Sequence, residues 1–541
     1  MSVLLNRASD GTTNARLLTD KQLRVLLHHA EACLLAQRCQ TAAFNFIKSV
    51  LRARSCTTPE LHSLMENIRK MAITSSDLHT ANACRNMCLQ FIQSINDACI
   101  VNDYIEFFAS QLQYEEETGR ISAMEMLNAF FARLPASTLT EHSSLCFVQL
   151  CTRLVHDPSD KCSRLCALAL HTLVQHADTN TRDMMFRMLL DWLQADKPEL
   201  RHVSVCACQI FVDVEQQTFH RRVSTILPHL VAVVASVLQD DGGKPRITTP
   251  GLIVTLRLLQ RIVAVLQSCL TDHKTVFSQL WAHLERICRC PQLDVVLAGC
   301  QLIGQLLSCL IDQGDHSLTG ARLETDGSVQ CASLIHRICV LMTNVLRRND
   351  LNETLAEQAI KNLLPLCKCV ISSSSAVCEC ETSFNMDTIV RRVVGVCKYE
   401  IAHDVKSTVK RTAAFKWAAA LSVDLADEPY YRLIDCVLPL LQREITLATH
   451  AKDDNPALAQ LCEQVCAMVR TRVGTERYAL MLAQCQREAN QRKLTRTRNK
   501  AVQPVLNPED AARRKLKRNR AKSAAKRRNK LPPGKRRRVS Q

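Results

Sequence analysis

Eleven lysines and arginines crowd residues 508–530: Arg513, Arg514, Lys515, Lys517, Arg518, Arg520, Lys522, Lys526, Arg527, Arg528 and Lys530. Four more, Lys535, Arg536, Arg537 and Arg538, follow a Pro-Pro-Gly break. The chemistry open to them is charge-assisted hydrogen bonding to phosphate oxygens. No aromatic residue lies among them, so base stacking adds nothing. Binding through these residues would grip the phosphate backbone, weaken steeply with salt and read no sequence. The clusters Lys526–Arg528 and Lys535–Arg538 also have the form of a nuclear localisation signal, which an import receptor would read. The two roles are compatible, and both are expected of this segment.

A second constellation is the array Cys367-x-Cys369 and Cys378-x-Cys380 around a Ser-rich hinge. Four thiolates could hold zinc tetrahedrally. Two facts oppose this. C-x-C spacing is less typical than C-x-x-C, and residues i and i+2 of a helix face different ways. No metal site is therefore expected. The histidines are scattered, and the pair His28-His29 sits inside a helical pattern. The chain has no P-loop, no G-x-G-x-x-G after a strand, no G-x-S-x-G and no H-E-x-x-H. The expectation is a non-enzyme with no cofactor and no small-molecule substrate.

The basic residues need an element to carry them. Asn507 can cap a helix, Pro508 suits the first helical position, and Glu509 and Asp510 suit the positive end of the helix dipole. From Arg513 to Lys530 there is no Pro or Gly. Like charges four residues apart oppose the free helix, so the tail reads as disordered or conditionally helical.

The rest of the chain has helical periodicity. Met124, Leu127, Phe131 and Leu134 form one apolar stripe that Pro135 closes. Further patterns fall at about 138–157, 159–177, 180–196, 198–214 and 220–239, so two helices recur roughly every forty residues, as in HEAT and armadillo repeats. The corners Asp157-Pro158 with Arg164, and Asp196 and Pro198 with Arg201, resemble the HEAT turn, with Asp expected as the cap. Residues Cys162–Val174 read as an inner helix covered by neighbours. The fold class is all-α, a HEAT/armadillo-like α-solenoid over residues 1–485, with loops near 239–251, 311–328 and 370–383. Residues 486–541 form a basic helical extension and tail.

Charge follows the same division. Residues 487–541 hold 21 Lys+Arg and three Asp+Glu, a net +18, against +17 for all 541 residues. The first 486 residues thus sum to −1. An aromatic share of 4% and only 13 glycines favour packed helices over sheets. No apolar run of about 18 residues suggests a membrane span. The N-terminal residues meet Arg7 and Asp10 too early for a signal-peptide core. The 28 cysteines fall on apolar helical faces. Cys162, Cys166, Cys206, Cys300 and Cys466 read as small core residues in a reducing compartment.

Residues 114–135, YEEETGRISAMEMLNAFFARLP, resemble a signature near the C-terminus of the giant nucleolar HEAT-repeat components of the small-subunit processome. This is the "down-regulated in metastasis", or U3 small nucleolar RNA-associated protein 20, family. LLTDKQLRVLL at 17, LWAHLERICRCP at 280, LAEQAIKNLLPLCK at 355, KYEIAHDVKSTVKRTAAFKW at 398, VLPLLQREI at 437 and the tail at 507 agree in order. Family members are several times longer, so the chain resembles their C-terminal part. The resemblance implies a nuclear and nucleolar scaffold without catalysis. Its partners would be pre-ribosomal RNA, small nucleolar RNA and other processome proteins. Two other helical-repeat classes stay open: a karyopherin-like transport receptor and a regulatory scaffold subunit. Neither accounts for the polybasic end.

Overall fold

The computed structural model describes residues 19–36, 39–52, 58–95, 97–237, 249–266, 273–312, 334–373, 386–403, 407–450, 456–506 and 508–530. Among them every regular element is helical. The chain divides into two compact units.

The first unit is a run of helix pairs. They are α1 (Asp20–Leu35) with α2 (Gln40–Arg52), α3 (Pro59–Thr74) with α4 (Leu78–Ser94), and α5 (Ala98–Ser110) with α6 (Glu117–Arg133). Next come α7 (Ala136–His156) with α8 (Asp160–His176), α9 (Thr179–Gln194) with α10 (Pro198–Glu215), α11 (His220–Val237) with α12 (Thr249–Val265), and α13 (Lys274–Ile287) with α14 (Leu293–Asp312). The even-numbered helices pack in succession from α2 to α14, and the odd-numbered from α5 to α13. This two-layered stacking is the helical-repeat architecture of a solenoid. It forms because one helix pair cannot bury its own apolar stripe, while each further pair covers the last. Met124, Leu127 and Phe131 are accordingly buried, and Leu134 is half-buried.

The second unit repeats the plan. It holds α15 (Leu334–Leu346) with α16 (Glu353–Ser373), α17 (Met386–His403) with α18 (Val409–Asp424), and α19 (Asp427–His450) with α20 (Pro456–Val473). Then come α21 (Thr475–Leu506) and α22 (Pro508–Lys530). Helices α16, α18 and α20 form one layer, and α15, α17, α19 and the start of α21 the other.

Short polar residues start many helices. Asp77, Asp97 and Asp178 each accept a backbone N–H of the first turn. At the Asp157 corner the expected cap moves. Ser159 caps α8 by accepting from the Cys162 N–H, and Asp157 closes α7 instead. At the next corner Lys197 precedes α10 without a side-chain cap, and Asp196 pairs with Arg201 at 3.5 Å. Helix α8 is also less enclosed than expected, because Leu168 is half exposed. Its covered face carries Cys162, Cys166, Leu170 and Leu173.

The signature segment explains itself at this corner. Arg120 donates to both Asp157 oxygens, at 2.9 and 3.1 Å, and to the carbonyls of Tyr114 and Glu115 at 3.1 and 2.7 Å. Ser122 accepts from Arg85 at 2.7 Å and donates to the Ala72 carbonyl. Glu117 accepts from Ser159 at 2.6 Å. A Cβ on Gly119 would lie 2.9 Å from the Ile73 carbonyl and run into the Tyr114 ring. These residues clamp one repeat to the next.

Burial alone would raise the Asp157 carboxyl. Hydrogen bonds from Arg120 and the Ser159 N–H, with the charges of Arg120 and Arg153, outweigh it and leave it lowered. A lowered folded pKa means Asp157 stabilises fully above the ordinary carboxylate value of about 4 and loses that contribution as pH falls through the folded value. Asp157→Asn is expected to cost about 1.5–3 kcal/mol near neutral pH, the range for hydrogen bonds to a charged group. Thermal melts of parent and variant should converge in strong acid. A gap that stays constant down to the acid limit would refute the assignment.

Cys162, Cys166, Cys300 and Cys466 are buried as expected, and Cys206 is half-buried. Burial pushes the Cys166 and Cys208 thiols up to about 12, so they behave as core residues. Cys367 is wholly buried within α16, which also contains Cys369, while Cys378 and Cys380 lie outside the described residues. Among the described residues no three His, Cys, Asp or Glu are grouped to hold a metal. His28 and His29 are both exposed on α1. No described helix is long and apolar enough to cross a membrane. Of the expected loops, residues 249–251 open α12, 311–312 close α14 and 370–373 close α16. Residues 239–248, 313–328 and 374–383 lie outside the described residues.

Candidate nucleic-acid interface

Helix α20 ends at Gly474, whose φ of +86° is open to glycine at no steric cost. The Gly474 N–H donates to the Arg470 carbonyl at 3.0 Å, and α21 starts at the next residue. Its first turns are pinned to the last repeat. Arg477 lies over the Tyr431 ring at 3.7 Å, and Gln442 donates to the Tyr478 hydroxyl at 3.3 Å. Just before the turn, Arg472 lies over Tyr430 at 4.0 Å. Such stacked cations suit a partly desolvated joint.

Beyond Cys485 the helix leaves the repeats. Every described side chain from Gln486 onward is exposed. Leu480, Leu494 and Val502 on α21 and Leu516 on α22 are exposed too, so no apolar stripe seats these helices on a core. At 1.5 Å per residue, residues 486–506 extend about 31 Å and α22 about 35 Å. On this stretch Arg492 pairs with Glu488 at 3.1 Å, one turn apart on the same helix.

The tail, left between disorder and conditional helix by its sequence, is helical in the structure from Pro508 to Lys530. Pro508 takes the first helical position, and Asn507 lies outside the described residues. Arg513, Lys515, Lys517, Arg518, Arg520, Lys522 and Lys526 are exposed. Arg514, Arg527, Arg528 and Lys530 hold backbone positions on the same helix. Lys535, Arg536, Arg537 and Arg538 lie outside the described residues. At 100° per residue the eleven cations of α22 fall on every side of its axis. Such a rod suits a polyanion that surrounds it better than a flat surface that meets one face.

The structure adds residues to this surface. Arg487, Arg492, Lys493, Arg496 and Arg498 are exposed on α21 and prolong the cationic rod towards the repeats. The charge count from residue 487 onward carried that signal, but that α21 runs on past the last repeat contact with its side chains exposed is read only from the structure.

Residues 200–531 match the family described as small subunit processome component 20 homolog, C-terminal. The U3 small nucleolar RNA-associated protein 20 of Schizosaccharomyces pombe (strain 972) is 22% identical over 450 residues. That alignment covers 80% of this chain and 17% of the relative, so the chain spans less than a fifth of its length. Among solved structures, the karyopherin Kap121p bound to the SUMO protease Ulp1p is similar at 12% identity and a TM-score of 0.46, over 91% of this chain and 55% of that one. The same karyopherin bound to the extreme C-terminus of the protein phosphatase Cdc14p gives 12% and 0.45, over 90% and 53%. With well over half its residues matched, the chain belongs to the small subunit processome component 20 homolog family.

Proposed function

We propose that this chain is an architectural, non-enzymatic part of the nucleolar small-subunit processome, acting in pre-rRNA processing and small-subunit biogenesis. Residues 1–485 form a body that packs against other processome proteins through extended repeat surfaces. Residues 486–541 form an extension that grips the backbone of pre-ribosomal RNA and carries the address an import receptor reads. Small nucleolar RNA is a further RNA partner under this reading. The observation that carries it is the exposure of every described side chain from Gln486 onward, on a stretch dense in lysine and arginine, in a chain of this family. Steric access and charge density suit a phosphate backbone, and the lack of aromatic residues from Gln486 onward suits contact without base readout.

In-cell protein–RNA crosslinking with mapped peptides tests the proposal. Crosslinks should concentrate on small-subunit rRNA precursors and enter through peptides of residues 487–530. Crosslinks spread over unrelated RNAs, or absent from those peptides, would overturn it.

A further inference from the structure

The segment KYEIAHDVKSTVKRTAAFKW at 398–417 plays no part in the basic rod, yet it borders a second cationic place. Arg392 on α17 is half-buried, and its Nε donates to the Thr343 hydroxyl at 3.2 Å. Arg347, exposed at the end of α15, reaches across Gly395 of the same α17 face. A Cβ on Gly395 would lie 3.2 Å from its Nη2. Among the described residues neither arginine makes an ion pair. Burial first, then the charge of Arg347, holds the Arg392 guanidinium below its ordinary value. Two like charges brought together cost free energy that an anion would recover.

The surroundings add to the positive field. The buried Lys410 ammonium lies 5.0 Å from the Tyr399 ring centre and donates to the Arg347 carbonyl at 3.2 Å. The nearby Asp350 is held by Arg348 at 2.8 and 3.0 Å. Burial and then the charge of Arg392 also lower the His336 imidazole. One helical turn beyond Tyr399, the exposed His403 ring stacks on it, with centroids 4.2 Å apart and planes 22° apart. His403 stands eight residues beyond Gly395 on α17, about 12 Å along the axis, so a single strand held at the arginines would meet this ring a nucleotide or more further along.

We propose that Arg347 and Arg392 form a phosphate site for single-stranded RNA on the body of the second unit, with His403 as a stacking ring further along the same helix. The site extends the RNA-gripping function assigned above from the basic rod to the repeats, and it rests on that reading. The two arginines are forks suited to bidentate phosphate contact, and the ring supplies what the aromatic-free tail lacks.

The test uses the full chain and a fluorescein-labelled 20-nucleotide oligouridine, titrated at several salt concentrations. The R347Q/R392Q variant should lower the slope of log affinity against log salt by about 1.4, or roughly 0.7 for each of two phosphate contacts. R347K/R392K should keep the slope, because the charges remain. Should the double variant fold poorly, Arg347→Glu alone decides, since that side chain is solvent-exposed. A 4-thiouridine version of the probe should crosslink to the peptide 386–403. An unchanged slope in the body variants, with loss in a variant whose α22 cations are glutamine, would overturn this site and leave the rod reading intact. A flattened slope in the body variants, with no loss in the α22 variant, would support this site and overturn the rod. No binding of the probe by the parent chain would overturn both.

Discussion

Arg411→Met is expected to destabilise the second unit by about 3–5 kcal/mol, the cost of leaving buried charges without their partner. Arg411 sits in α18 with its side chain 4% exposed, between Glu400 of α17 at 1% and Glu444 of α19 at 7%. Its Nε donates to Glu400 at 3.0 Å, its Nη1 to Glu444 at 2.5 Å and its Nη2 to the Ser407 carbonyl at 2.6 Å. Methionine fills the space but leaves two buried carboxylates without the cation they share. Glu400 has a second task. It accepts the N–H groups of Lys410 and Arg411, each at 3.0 Å, and so closes the start of α18, where Thr408 makes no side-chain cap. In a unit of this size the melting temperature should fall by roughly 6–20 °C, at about 2–4 °C per kcal/mol. Adding Glu444→Gln should recover part of the loss, because a neutral amide needs no counter-ion and the two sites are coupled. A fall of only a degree or two would show that the triad does not hold these three helices together.

The second large effect concerns RNA. Replacing all eleven lysines and arginines of α22 with glutamine should flatten the salt dependence of RNA binding. If about five of them touch phosphate, the slope falls by about 3.5 for a single strand. Between 50 and 200 mM salt the parent would then lose roughly 100-fold more affinity than the variant, on the same scaling. Glutamine is nearly as good a helix former as lysine or arginine, and its neutrality removes repulsion between like charges four residues apart. The variant should therefore be at least as helical as the parent, which circular dichroism can check. Fluorescence anisotropy at four salt concentrations measures the slope. Equal slopes in parent and variant would leave α22 as a targeting signal alone.

Much of the fold is legible in the order of residues. The helical period, the roughly forty-residue spacing and the Asp-Pro corners all follow from local backbone and side-chain preferences, which act within a few residues of sequence. The capping pattern is harder to read. Asp157 looks like a cap from its place before Pro158, but it is drawn to Arg120 from the preceding pair, and Ser159 takes its role. That competition is decided by a residue 37 positions away. Gly119 is similar: its need for a bare Cα comes from the carbonyl of Ile73 on another helix. The cationic place at Arg347 and Arg392 leaves no sign in the sequence, because two arginines 45 residues apart become neighbours only when α15 and α17 stack.

The sequence alone determined the class of helix packing, the neutral body and the +18 end, since propensity, periodicity and net charge are properties of residues in order. Only the tertiary structure decided which charges are spent inside the protein and which face outward. Arg69, Arg85, Arg120 and Arg411 are buried among carboxylates or carbonyls, while Arg347 and the described cations from Arg487 onward are exposed. The reason is that burying a charge demands a partner brought close from elsewhere in the chain, and only packing supplies one.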